Sequence, residues 1–232
     1  MKNITLAIIV SCIFFQCKND SSTTINSLGP NVKNFFSSYL LVDSFSLDVI
    51  SDTTLLPPEI ISFRLLSESD GDINKTYAHY DSGEGKAVFY NIAKLYKDTS
   101  YNRPVSGVFS ICLLDTITKI SISCLEEYDQ RHKAGALLND IAMIKYYSAK
   151  EYIENGYVDP NKESLDICYS GNMKIPLEQF NTNLNYLVQP LFFISLTSSP
   201  DYTGTYVFLI TIKTNGGKSF SYKTESVSLE GK

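Results

Sequence analysis

The sequence predicts a mainly β protein: an antiparallel β-sandwich, immunoglobulin-like, with a partly helical insertion at about 127–187. Three observations carry that expectation. Apolar residues alternate with polar ones in many short runs, the period of a strand with one buried face. Turn residues separate the runs, and the last of them form a long hairpin around Asn215-Gly216-Gly217. The aromatic residues are 16 Tyr and 13 Phe with no Trp, a balance that suits pleated, half-buried surfaces.

Ahead of the strands stands a different kind of segment. Lys2 precedes an apolar run from Ile4 to Phe15. That run is too short to span a membrane, which takes ~20 residues, but it has the length of a signal-peptide core. A cysteine follows it, and then the polar stretch KNDSSTTINS. This order is that of a bacterial lipoprotein precursor, with a signal at 1–16, a lipidated Cys17, and a flexible tether to residue 37. Acyl chains on one cysteine bury many methylene groups at ~0.8 kcal/mol each, so the anchor holds. Gln16 is larger than the residue usually found before such a cysteine. Cys12, after Ile9-Val10-Ser11, is the alternative lipid site, and an unlipidated secretory signal cut near Cys17 is the competing reading.

The remaining chain, 38–232, reads as one domain. Phe45, Leu47 and Val49 alternate with Ser44, Ser46 and Asp48, and Ile61, Phe63 and Leu65 repeat the pattern after Leu-Pro-Pro-Glu at 56–59. Prolines do not sit inside central strands, so that stretch separates two. Residues 67–76 are a polar loop. The run 86–96 fits either a helix, on a face of Val88, Ile92 and Leu95, or a strand. Strands follow at 107–114 and 117–125, the second with Ile120, Ile122 and Cys124 on one face, which directs Cys124 inward as a small hydrophobe. From Glu127 the chain is richer in charge. Ser148 and Glu151 have capping-box spacing before a short helix that Gly156 ends. Residues 175–181 suggest another helical turn. Strands return at 191–196, at 205–213 with apolar residues on both faces, at 218–224 with Phe220 and Tyr222 inward, and at 227–229. The parity change there predicts a bulge near Glu225-Ser226.

The net charge of −5 argues against nucleic acid, whose phosphates require a basic surface. With two histidines, His79 and His132, and with Cys112, Cys124 and Cys168 at no zinc-like spacing, no metal site and no cofactor are expected. Outside the cytoplasm a disulfide among those three cysteines is permitted, and an odd count leaves one free. Asp70-Gly71-Asp72-Ile73-Asn74 has calcium-type ligands but not the calcium-loop order, and reads as a solvated turn. No G-x-S-x-G elbow accompanies His132, which reads as a surface residue. Glu126 and Glu127 are adjacent and face opposite ways on a strand, so they do not form a glycosidase pair. Leu138-Asn139-Asp140 reads first as a turn. Tyr146, Tyr147, Tyr152 and Tyr157 read first as core, with a sugar-stacking platform as the functional alternative. Asn139, Asp140, Tyr146 and Tyr147 are therefore the candidate binding residues.

The stretch 117–157 resembles a family of Bacteroidetes cell-envelope lipoproteins grouped only as a domain of unknown function. The resemblance lies in Ile117, Ile120 and Ile122, then Asp129, Ala134-Gly135, Leu138-Asn139-Asp140 and Tyr146-Tyr147; where the family usually has Pro before Ala-Gly, this chain has Lys133. It implies a lipoprotein of the envelope and no particular activity. Cys17-Lys18-Asn19-Asp20 is also similar to the charged signal that sends such proteins to the cell surface. The function expected is a non-catalytic binding or adhesion module on the outer membrane, periplasmic or surface-exposed. Its partners would be the membrane and a glycan or envelope protein. The alternative is a structural accessory subunit of an envelope complex.

Overall fold

The alternating runs become strands of two facing sheets. The structure, a computed structural model, describes residues 31–50, 59–68, 77–79, 85–104, 111–158 and 172–232. Cys12, Cys17, the tether to residue 30, the Asp70–Asn74 turn and Cys168 lie outside the described residues. One sheet carries β3 (Ser44–Ile50), β4 (Ile61–Glu68), β9 (Ala142–Ser148), β10 (Asn172–Pro176) and β11 (Val188–Leu196), in the antiparallel order β10-β9-β11-β4-β3. The other carries β8 (Ile117–Cys124), β13 (Phe208–Thr214) and β14 (Ser219–Lys223), with β13 in the middle. The smaller elements are β1 (Asn31–Val32) paired with β6 (Arg103–Pro104), and β12 (Gly204–Tyr206) paired with β15 (Val227–Leu229). A third small sheet sets β2 (Ser38–Leu40) between β5 (Tyr77–His79) and β7 (Ile111–Leu113).

Read along the chain, β3-β4-β11-β9 facing β8-β13-β14 is the strand order of a constant-type immunoglobulin sandwich, with β10 added outside β9. Two details of that fold recur. Tyr206, just before β13, donates its hydroxyl to the Tyr202 carbonyl at 2.5 Å, which is the tyrosine corner. Two residues on, where antibody domains carry the second cysteine of their inter-sheet disulfide, stands Phe208. Its ring meets Phe63 of β4 edge-on at 5.1 Å, so an aromatic pair joins the two sheets there. Around it Ile61, Leu65, Ile144, Phe192 and Ile194 of one sheet and Ile120, Ile122, Ile210 and Ile212 of the other are all buried. Cys124 is buried as expected, and burial, helped by the Glu126 carboxylate and opposed by backbone hydrogen bonds at Glu126 and Val207, pushes its thiol up to about 11. Cys112 and Cys124 are both free.

A second core lies alongside, built from the chain before β3, helix α1 (Gly85–Leu95) and helix α2 (Lys150–Glu154). Phe89, Ile92 and Ala93 form the buried i, i+3, i+4 stripe of α1. The ambiguous run is thus a helix, but on a stripe set one residue from the expected face: Val88 and Leu95 are exposed. At the centre of this core, fully buried, is Asp98. Its carboxylate accepts from the backbone N–H of Phe35 (2.7 Å) and Phe36 (3.1 Å) and from the Tyr157 hydroxyl (3.0 Å). Burial raises its pKa, and those donors offset the rise only in part.

Several expectations need correction. The stretch 127–187, read as an insertion or an elaborated edge, is the edge: it supplies β9 and β10 of the larger sheet. No Ser148–Glu151 capping box forms; Ala149 occupies the N-cap of α2 without a side-chain cap, and the Ser148 hydroxyl accepts from Lys150 N at 3.2 Å. The run 205–213 is two strands. Val207 between them turns its N–H to the Glu126 carboxylate at 2.7 Å. The parity change before β15 reflects a change of partner to β12.

Candidate binding groove

His132 is not a surface residue. The turn that follows β8 folds Asp129 back on its own backbone, so that its Oδ1 accepts from the N–H groups of Arg131 and His132, each at 2.8 Å, as short acidic side chains do in turns. The same oxygen lies 2.8 Å from His132 Nδ1, while Asp140 Oδ1 lies 2.9 Å from Nε2. The imidazole side chain is 8% exposed. Burial lowers its pKa, but the hydrogen bonds to both carboxylates outweigh that and leave it raised. Asp129 is shifted the other way: burial raises its pKa, and its bonds with His132 and the Arg131 and His132 N–H groups bring it below the usual range. With both ring nitrogens held by carboxylates, the imidazole serves the structure and has no nitrogen free to take a proton from a substrate. The Asp129-x-x-His132 spacing is a local signal that could have pointed to this cluster. Beside it, a wide depression of about 540 Å³ is lined by Arg131, Asp201, Tyr202 and Lys232, and its Asp201 is already engaged by Gln130 N (2.9 Å) and Lys232 (3.4 Å).

Asn139 is buried and serves the backbone. Its Oδ1 accepts from Ile122 N at 3.0 Å and its Nδ2 donates to Ile120 O at 3.3 Å. Asn181 of helix α3 (Leu177–Thr182), unmarked by any motif, does the same one step along, accepting from Ile120 N and donating to Ile120 O, both at 2.7 Å. Leu138 N reaches Ile122 O at 2.9 Å and Gly135 N reaches Cys124 O at 2.7 Å. The turn that brings Gly135 there needs its φ of +81°. Side-chain amides and a loop thus close the outer edge of β8, where unpaired backbone groups would otherwise be left.

The four tyrosines do not form a platform. Tyr152 and Tyr157 are buried in the second core, and Tyr147 packs against it from the other face of β9, since neighbouring strand residues point opposite ways. Tyr146 alone faces the sandwich interior, its ring edge-on to Phe180 of α3 at 5.0 Å. There, α3 closes the gap between β9 and β8, and a groove of about 330 Å³ opens at the end of the β9–β10 pair. It is lined by Tyr146, Ser148, Lys150 and Glu151, by Met173 and Ile175 of β10, and by Gln179, Asn183, Leu184 and Asn185. The size is at the lower end for small-ligand pockets, about 300–1,000 Å³. Of the four candidate binding residues, the structure brings Tyr146 alone to this groove; Asn139 and Asp140 sit with β8 and His132. Periodicity could place Tyr146 on an inner face, but nothing local in the sequence indicated Gln179 or Asn185 as its neighbours.

Among the described residues, no group of His, Cys, Asp and Glu is arranged to hold a metal ion. No helix among them is long and apolar enough to cross a membrane. Compared with protein-family models, with curated proteins and with solved structures, the chain gives no match.

Proposed function

We propose that this chain is a non-catalytic cell-envelope lipoprotein, anchored through Cys17, whose immunoglobulin-type sandwich serves as a binding or adhesion module. The observation that carries the binding role is the β9–β10 groove, a concavity lined by polar side chains at the end of a strand pair. Support for the anchor comes from the sequence before the fold: an apolar run, a cysteine, and a polar stretch long enough to hold the domain clear of a bilayer. The resemblance of 117–157 to Bacteroidetes envelope lipoproteins points the same way.

Fractionation of cells that make the full chain tests the anchor. Wild type should sediment with membranes and require detergent for release, and should incorporate labelled palmitate. Cys17→Ala should lose both properties, and Cys12→Ala should keep them. A wild-type chain that stays in the soluble fraction, or label that persists in Cys17→Ala, would overturn the anchor. Protease shaving of intact cells then separates the roles. Cleavage directs the search to extracellular glycans and host molecules, and protection directs it to envelope proteins.

A further inference from the structure

We infer that the outer face of the β8–β13–β14 sheet binds a linear acidic polysaccharide; the inference rests on the binding-module reading and gives it a second surface and a ligand class. Side chains alternate across a strand, and the register of the three strands sets the outward ones in rows. One row is Lys119, Lys213 and Ser219, and the next is Ser121, Thr211 and Ser221. The third ends in Lys223, opposite Leu209. Lys119, Lys213 and Lys223 are exposed, and none of them makes an ion pair among the described residues. No acidic side chain stands in any row, although the chain carries 25 Asp and Glu and a net charge of −5.

The pairing of Lys119 with Lys213 carries the inference. The two stand directly opposite on neighbouring strands, where like charges repel and lower stability. The larger sheet is built the other way: Arg64 lies directly across from Asp48 and bonds it, and Lys174 pairs with Glu59 at 2.6 Å. A face that only had to be wetted would mix its signs as that sheet does. Counter-charge for the smaller sheet therefore comes from outside, and the layout of the rows selects its source. The Lys213 and Lys223 rows are four residues apart along β13, ~13 Å at the rise of a strand, beyond the reach of one small anion. Between them lies a row of hydroxyls, in which Thr211 and Ser221 share a hydrogen bond at 3.1 Å. The ligand that fits repeats its carboxylates or sulfates along a chain and presents hydroxyl groups between them. A nucleic-acid strand takes aromatic side chains on which to stack, and these rows hold none. A bilayer takes apolar side chains that enter it, and the rows offer only Leu209, half-buried.

The test is calorimetry on the full chain in detergent micelles. Heparin and polygalacturonate are the acidic probes and dextran the neutral one. Single-stranded DNA, and phosphatidylglycerol added to the micelles, are the alternative polyanions. An acidic polysaccharide should bind and dextran should not, and the binding should weaken as NaCl is raised. Lys119→Ser and Lys223→Ser should each weaken it about 5-fold, the effect of one exposed ion pair. Lys213→Glu should abolish binding while the urea midpoint holds or rises, because Lys119 then faces an opposite charge; this separates lost binding from lost folding. Lys94→Ala, on α1, should leave binding unchanged. No binding of either acidic probe, equal binding of dextran, tighter binding of DNA or of phosphatidylglycerol, or a Lys213→Glu chain with unaltered affinity or a lower urea midpoint would overturn the inference. Any of these leaves the anchor to its own fractionation test, whose failure in turn leaves a polysaccharide-binding face standing.

Discussion

His132 shows how one buried side chain makes stability depend on pH in both directions. Its pKa in the folded chain is raised above the ordinary 6.5, so its contribution is fully present below that value and lost as pH rises through the folded one. Asp129 is depressed below the ordinary 3.8, so its contribution is present above that value and lost as pH falls through the folded one. Chemical denaturation across pH should therefore find the pair's contribution greatest between about 4 and 6.5, the ordinary values of the two groups. His132→Ala leaves the Asp129 carboxylate buried without its cation and should cost about 3 kcal/mol at pH 5.5. It should also flatten the alkaline limb of the profile. An unchanged alkaline limb in that variant would assign the titration to another group. Asp140, offered by the sequence as a binding residue, belongs to this cluster and is already partnered.

At the scale of the element, β8 shows how an edge strand is closed without another strand. Asn139 and Asn181 come from opposite sides of β9 and β10 in sequence, yet both lay a carboxamide against the same strand, where a neighbouring backbone would run. Native-state hydrogen exchange should show this directly. Asn181→Ala should speed exchange at the Ile120 amide and Asn139→Ala at the Ile122 amide, each with a loss of about 1–2 kcal/mol. Protection that stays wild type at both amides would mean that the loop alone closes the edge. The same strand holds Ile117, Ile120 and Ile122 of the resemblance read from the sequence, and Leu138-Asn139-Asp140 is explained by architecture: Leu138 N and the Asn139 side chain bond the strand edge, and Asp140 holds His132.

Taken as a whole, the molecule is an immunoglobulin-type sandwich in which Phe63 and Phe208 stand between the strands that a disulfide joins in antibody domains. A non-covalent link at this point does not depend on the redox state around it. Phe63→Ala and Phe208→Ala should each cost about 3–5 kcal/mol in urea unfolding. The double variant should fall short of their sum by about 1 kcal/mol, the coupling of an edge-to-face pair. Strict additivity would show that the rings act as separate core fillers. Added reducing agent should not shift the wild-type transition, because the two described thiols are free and buried.

By itself the sequence determined the mainly β class, the faces of β3, β4 and β8, and the inward turn of Cys124, because strand periodicity is a local property of the chain. It also left Tyr146 as a candidate, as one of four tyrosines offered for a stacking platform. Tertiary structure alone decided the rest. Whether β9 and β10 form an insertion or part of the sheet depends on pairing with β11, far along the chain. The burial of His132 depends on two carboxylates meeting one ring. The β9–β10 groove exists because α3 folds back over the sandwich end, bringing Gln179 and Asn185 beside a tyrosine more than thirty positions earlier in the sequence. These are contacts between distant segments, and no pattern within a short window encodes which segments will meet.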